Sequence, residues 1–153
     1  MGAARSRLGC ILDGEPRDGS TPDIGADEFS ADPASTTPLA GTYTVGAGGN
    51  YPDIASAADD LLLKGLSASV TLNLLPGTYI ENVSLFPYPG MTDEDSVIIQ
   101  SNSGNPGDVS WIYVAQGEGD NYTLRLRKVK NITVQNLTIG ANNANNASYG
   151  RVF

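Results

Sequence analysis

Two arginines set at alternate positions of a short apolar stretch form the pattern most open to chemistry. In Tyr122-Thr-Leu-Arg-Leu-Arg127, Arg125 and Arg127 alternate with Leu124 and Leu126, so on an extended strand both guanidinium groups share the outward face. Each planar fork can grip a carboxylate bidentately, which suits acidic sugars such as uronates. Outward cations also keep an exposed sheet from aggregating, and that reading stands beside the first. Asp93-Glu94-Asp95 offers carboxylates to a calcium ion, but three consecutive acids do not build a preorganised oxygen shell, so the stretch reads as an exposed turn. Asp59 and Asp60 read as a solvated helix face. Tyr88, Trp111, Tyr113 and Tyr122 are candidates for stacking on sugar rings. Trp111 and Tyr113 share one strand face, and alternation with Ser110 and Ile112 leaves open which face points inward. The chain contains no histidine, which excludes a Ser-His-Asp triad and the usual zinc sites. No cofactor is expected.

The elements that must position these residues are short strands and tight turns. Val70–Leu75 and Ile80–Phe86 read as two strands hinged at Pro76-Gly77, the second with apolar Ile80, Val83 and Leu85 and a bend near Asn82. Further strands are expected at Thr42–Val45, Ser96–Ser101, Val109–Val114, Tyr122–Arg127 and Asn131–Ile139, the last with a phase shift at Gln135-Asn136. Tyr51–Lys64 is the one helix: Ile54, Ala57, Ala58, Leu61 and Leu62 form an apolar face, Pro52 and Asp53 suit its first turn, and Gly65 stands at its C-terminal cap. Gly46–Asn50 superficially suggests a phosphate loop, yet it lacks the Gly-Lys-Ser/Thr ending and reads as a tight turn. Grouping strands by turn chemistry gives coils of roughly 25 residues near Val70, Ser96 and Tyr122. The start of a further coil is expected at Ala147–Phe153. Asn142, Asn143, Asn145 and Asn146 cluster where a coil would turn. The fold class expected is all-β with one capping helix, a right-handed parallel β-helix of about three coils, its open end covered by the helix.

Composition bounds the partners. A net charge of −8 repels a nucleic-acid backbone, and no stretch approaches the ~20 apolar residues of a membrane helix. Only 17% of residues are charged and eighteen are glycine, as befits many strands and polar turns. The single Cys10 cannot form a disulfide within the chain and reads as an incidental thiol. Sequons at Asn82, Asn121, Asn131, Asn136 and Asn146 read as by-products of polar strand and turn positions. Met1–Leu12 has no apolar run of the kind a secretory signal needs. Residues 31–40 are a linker by composition, dividing 1–30 from a domain over 41–153.

Two stretches resemble known families. DGEPRDGSTPDIGADEF, ending at Phe29, resembles the closing motif at the C-terminal end of secreted bacterial parallel β-helix domains. TVGAGGNYPDIASAADDLL, LLPGTYIENVSL and KNITVQNLTIGANN resemble the N-terminal part of pectin methylesterase-like members of the pectin lyase-like β-helix superfamily, with Gly77-Thr-Tyr-Ile-Glu81 matching the family's Gly-x-Tyr-x-Glu motif. The resemblance covers about 110 residues and implies the β-helix fold. It carries Tyr79 and Glu81 over as groups near a substrate cleft or supporting the first coil. It also implies that catalytic glutamines, aspartates and arginine fall on coils after Phe153, so these residues are expected to be non-catalytic. The function expected is a fragment of a secreted or cell-surface protein, contacting acidic polysaccharide through Arg125 and Arg127 or serving as an extended surface module. The alternatives are a truncated pectin methylesterase- or lyase-type enzyme and a purely structural adhesin or stalk. The missing signal is then explained by a chain that starts inside a longer protein.

Overall fold

Alternating apolar residues make the strands, and Gly46, Asn102 and Asn136 directly follow β1, β5 and β8. The computed structural model describes residues 37–117 and 119–141. Within them lie β1 (Leu39–Val45), α1 (Ile54–Lys64), β2 (Leu66–Leu74), β3 (Gly77–Ile80), β4 (Val83–Leu85), β5 (Val97–Ser101), a 3-10 turn (Pro106–Asp108), β6 (Val109–Tyr113), β7 (Leu124–Leu126), β8 (Ile132–Gln135) and β9 (Thr138–Ala141). The expectations at Cys10, Asp23–Phe29, Asn142–Asn146 and Ala147–Phe153 lie outside the described residues.

The strands form three sheets, ordered β1-β2-β5-β8, β3-β6-β9 and β4-β7, and every pairing is parallel. The protein is thus built mostly of strands in parallel sheets with one α-helix. Two passes, β2-β3-β4 and β5-β6-β7, each add one strand to every sheet, and β8 and β9 extend the first two, so neighbours are far apart in sequence. Asn73 and Gln100 are 27 residues apart, and Gln100 and Gln135 are 35 apart. The expected interval was shorter because turn length varies from pass to pass while strand register does not.

Corners fall where backbone-permissive residues stand. Leu75-Pro76 separates β2 from β3, as the Pro-Gly hinge predicts. The expected strand Ile80–Phe86 divides at Glu81-Asn82 into the end of β3 and all of β4. That corner changes the phase: Tyr79, Val83 and Leu85 are buried, whereas Ile80 is 66% exposed. Asn131–Ile139 divides in the same way at Asn136, which takes a left-handed φ of 52°.

Helix α1 starts later than its periodicity predicts. Asp53 is its N-cap, extended in backbone and accepting from the Ser56 amide at 2.7 Å, which leaves Pro52 outside the helix. Ile54, Ala57, Ala58 and Leu61 are buried, while Leu62 turns to solvent. Gly65 ends the helix at φ 74°, its N–H donating to the Leu61 carbonyl. The core beneath α1 is Val45, Val70, Leu72, Leu74, Val97, Ile99, Val109, Trp111 and Leu124 with their neighbours, all from inward strand positions. Among the described residues no helix is long and apolar enough to cross a membrane.

Candidate functional site

Tyr79 and Glu81 sit together at a groove beside the start of α1. It has a volume of about 530 Å³ and is lined by Gly46, Pro52, Asp53, Gly77, Tyr79 and Glu81 among others. Their positions follow from the corner after β3, which points the Glu81 side chain at the helix. Its two carboxylate oxygens accept from the amides of Ile54 and Ala55 at 3.0 and 2.8 Å. These are donors that a helix leaves unpaired in its first turn. Burial pushes the Glu81 carboxyl above its usual range, the two amide bonds oppose that, and the Asp53 charge adds to it. The Tyr79 hydroxyl lies 2.8 Å from both the Val45 and the Leu75 carbonyl oxygens. Burial first, then the Glu81 charge, raises its pKa against the Leu75 bond. Tyr79 also pairs with Trp111 across β3 and β6, and the Trp111 indole donates to the Glu81 carbonyl at 3.0 Å. The pair thus ties α1, the ends of β1 and β2, and the second sheet into one corner. Their polar atoms are committed to backbone groups, which suits support of this corner better than proton transfer.

Gly46–Asn50 closes the groove as a tight turn. The Gly49 amide donates to the Gly46 carbonyl, and the Thr44 and Asn50 side chains each bond the other's backbone amide. A Cβ at Gly46 would lie 2.5 Å from the Tyr79 hydroxyl oxygen, so the turn is shaped around that tyrosine.

Arg125 and Arg127 lie apart from this groove, Arg125 on β7 and Arg127 just past its end, since the strand expected over Tyr122–Arg127 is only Leu124–Leu126. Ser84 pairs with Arg125 across the β4–β7 ladder, and the Arg127 amide donates to the Leu85 carbonyl. The Arg125 guanidinium stands 3.7 Å over the Tyr122 ring and donates to the Gly119 carbonyl at 3.3 Å. That of Arg127 lies 5.8 Å from the Phe86 ring centre. Among the described residues neither arginine has a carboxylate partner, whereas Lys64 pairs with Asp60 and Lys130 with Asp93. Arg127 also lines a cleft of about 500 Å³ with Phe86, Pro87, Leu126 and Lys128. The four expected site residues therefore fall into two places, and no single site unites them.

The remaining candidates are drawn into the fold. Trp111 is fully buried and offers no stacking surface, while the Tyr113 hydroxyl donates to Asp120. Tyr88 is buried, with no hydrogen-bond partner for its hydroxyl among the described residues. Asp60 accepts from Tyr51 and Lys64; burial works against its charge, but those bonds hold its carboxyl below the usual range. In the acidic loop Asp95 accepts from the Thr92 amide and hydroxyl, and Asp93 pairs with Lys130. Among the described residues no three His, Cys, Asp or Glu side chains cluster as metal ligands.

Sequence reasoning passed over a row of stacked amides. Asn73, Gln100 and Gln135 occupy one register position of the first sheet, Gln100 donating to Asn73 at 3.0 Å and Gln135 to Gln100 at 2.7 Å. The signal was the amide at an outward place on each strand, legible only once the register is known. The chain matches no family model, no curated protein and no solved structure.

Proposed function

We propose that this chain carries the opening of a right-handed parallel β-helix from a secreted or cell-surface protein, and that it contacts acidic polysaccharide without performing chemistry of its own. The fold part rests on three parallel sheets filled in rotation by successive passes, with α1 packed against β1 of the first and β4 of the third. Right-handed crossover is the strong preference of parallel connections. The extracellular part rests on the resemblance of Asp23–Phe29 and Gly77–Glu81 to secreted families.

One observation carries the binding part. In a chain of net charge −8, Arg125 on β7 and Arg127 just past its end each stand beside an aromatic ring, and neither is matched by a carboxylate among the described residues. Aromatic support orders a guanidinium without consuming its hydrogen-bond donors, and apart from the one Arg125 bond to the Gly119 carbonyl they are left for a uronate carboxylate. Titration calorimetry with oligogalacturonate tests this. Arg125→Ala plus Arg127→Ala should abolish the heat, the double lysine variant should weaken it, and the methyl-esterified oligomer should not bind. Equal binding by the double alanine variant would overturn the assignment.

A structural stalk is the second reading, favoured by the amide row and by the commitment of Tyr79 and Glu81 to backbone. It predicts no saccharide binding and an unchanged fold in both arginine variants.

A further inference from the structure

Two cavities share walls where the chain leaves the third sheet. The wider, of about 500 Å³, is lined by Phe86, Pro87, Leu126, Arg127 and Lys128. The narrower, of about 150 Å³, has Phe86, Pro87 and Lys128 in common with it and adds Tyr88 and Val129 among others. Phe86 and Pro87 follow β4, whereas Leu126 ends β7 and Arg127 and Lys128 follow it. Because β4 and β7 pair in parallel, the walls come from successive passes held in register.

The walls combine apolar surface with cations. Phe86 is half-buried, Pro87 is exposed, and Leu126 is 51% exposed although its strand partner Leu85 is buried. Apolar side chains gathered at an open cleft mark a place for an apolar group. Lys130 is matched by Asp93, but among the described residues Arg127 and Lys128 have no carboxylate partner, in a chain of net charge −8. Lys128 also holds a left-handed φ of 54°, which glycine or asparagine would adopt at less cost, so a cation stands at a strained corner. The narrower cavity adds an unmet hydrogen bond. Tyr88 is 6% exposed, and its hydroxyl is the one buried side-chain polar atom without a partner among the described residues.

We propose that this cleft binds an alkyl carboxylate, its chain along Phe86, Pro87 and Leu126 and its head held by Arg127 and by Lys128, the residue common to both cavities. Charge complementarity selects the anion. The apolar walls select an alkyl body over a sugar acid, whose ring hydroxyls would be desolvated against them. The cleft thus takes a ligand of a different class from the acidic polysaccharide, although Arg127 borders both.

Octanoate, titrated below its micellar range into the isotope-labelled full chain, is the probe. It should give saturable amide shifts confined to Phe86, Tyr88 and Leu126–Val129. Octanol, the same chain without the charge, should bind about tenfold more weakly, and Lys128→Gln should weaken octanoate by about the same factor. Leu126→Asp, which sets a like charge on the apolar wall, should abolish the shifts while leaving the spectrum of the core unchanged. The oligogalacturonate titration uses neither these ligands nor these variants, so either reading can fail alone. Absence of a saturable shift, equal binding of octanol, or full affinity in Lys128→Gln would overturn the proposal.

Discussion

Glu81 occupies a position where two requirements conflict. Its carboxylate satisfies two amides of the first turn of α1, yet its burial penalises the charge that makes it a good acceptor. Removing it leaves those amides without their acceptor, so Glu81→Ala should lower stability by about 1–3 kcal/mol in urea unfolding. The pH dependence has a definite sign. The folded-state pKa is raised above 4.5, so in the interval between the two values the folded chain binds more protons than the unfolded one. Stability therefore falls as pH rises from 4.5 through the folded value, and the penalty persists above it. Relative to Glu81→Gln, the wild type should be more stable at the acid end of that interval than above it. A constant difference between the two proteins across the interval would contradict the raised value. The Gly-x-Tyr-x-Glu pattern made Tyr79 and Glu81 visible in the sequence. Their partners were not visible, because the amides of Ile54 and Ala55 lie 27 and 26 residues from Glu81 and nothing local marks them.

Among the elements, α1 was the most legible and its boundaries the least. Apolar spacing located Ile54, Ala57, Ala58 and Leu61, but the cap was decided by a side-chain bond from Asp53 that periodicity does not encode. Strand division was hidden for a related reason: Glu81-Asn82 and Asn136 turn corners inside stretches whose composition is continuous. Gly65, expected as a cap, proves to be constrained by more than the helix. Its φ of 74° with ψ of −172° lies in a region kept for glycine, and an added Cβ would meet the Pro89 carbonyl oxygen at 2.5 Å. Gly48 also has a positive φ, 81°, but open space around it. Gly48→Ala should therefore cost about 1 kcal/mol from backbone strain alone. Gly65→Ala should cost clearly more, because the Pro89 backbone in the loop between β4 and β5 must also move. Chemical unfolding of the two variants side by side checks this, and equal midpoints would remove the Pro89 contact as a constraint.

At the scale of the molecule, parallel sheets and one helix were readable from alternation and turn chemistry, whereas register was not. Identical pairs that register brings together, such as Val70 with Val97 and Gln100 with Gln135, are 27 and 35 residues apart, and loops of different length hide that spacing. Once the register is known, burial is seen to change along the stack. The inward residues Val70, Leu72 and Leu74 of β2, and Val97 and Ile99 of β5, are at most 1% exposed. Their counterparts Ile132 and Val134 on β8 are only partly buried, as is Ile139 on β9, the partner of the fully buried Trp111. Among the described residues β8 also pairs on one side only, so the backbone groups on its outer edge have no ladder partner. In a structure whose strands contact only their neighbours, opening starts where a strand has one neighbour and proceeds inward. Native-state hydrogen exchange should therefore protect the paired amides of β5 most strongly and those of β8 and β9 least. Because Trp111 is the chain's only tryptophan and lies fully buried in the middle pass, its fluorescence should persist at urea concentrations where β8 already exchanges. Uniform protection across β2, β5 and β8 would show that the last described pass is as firmly covered as the first.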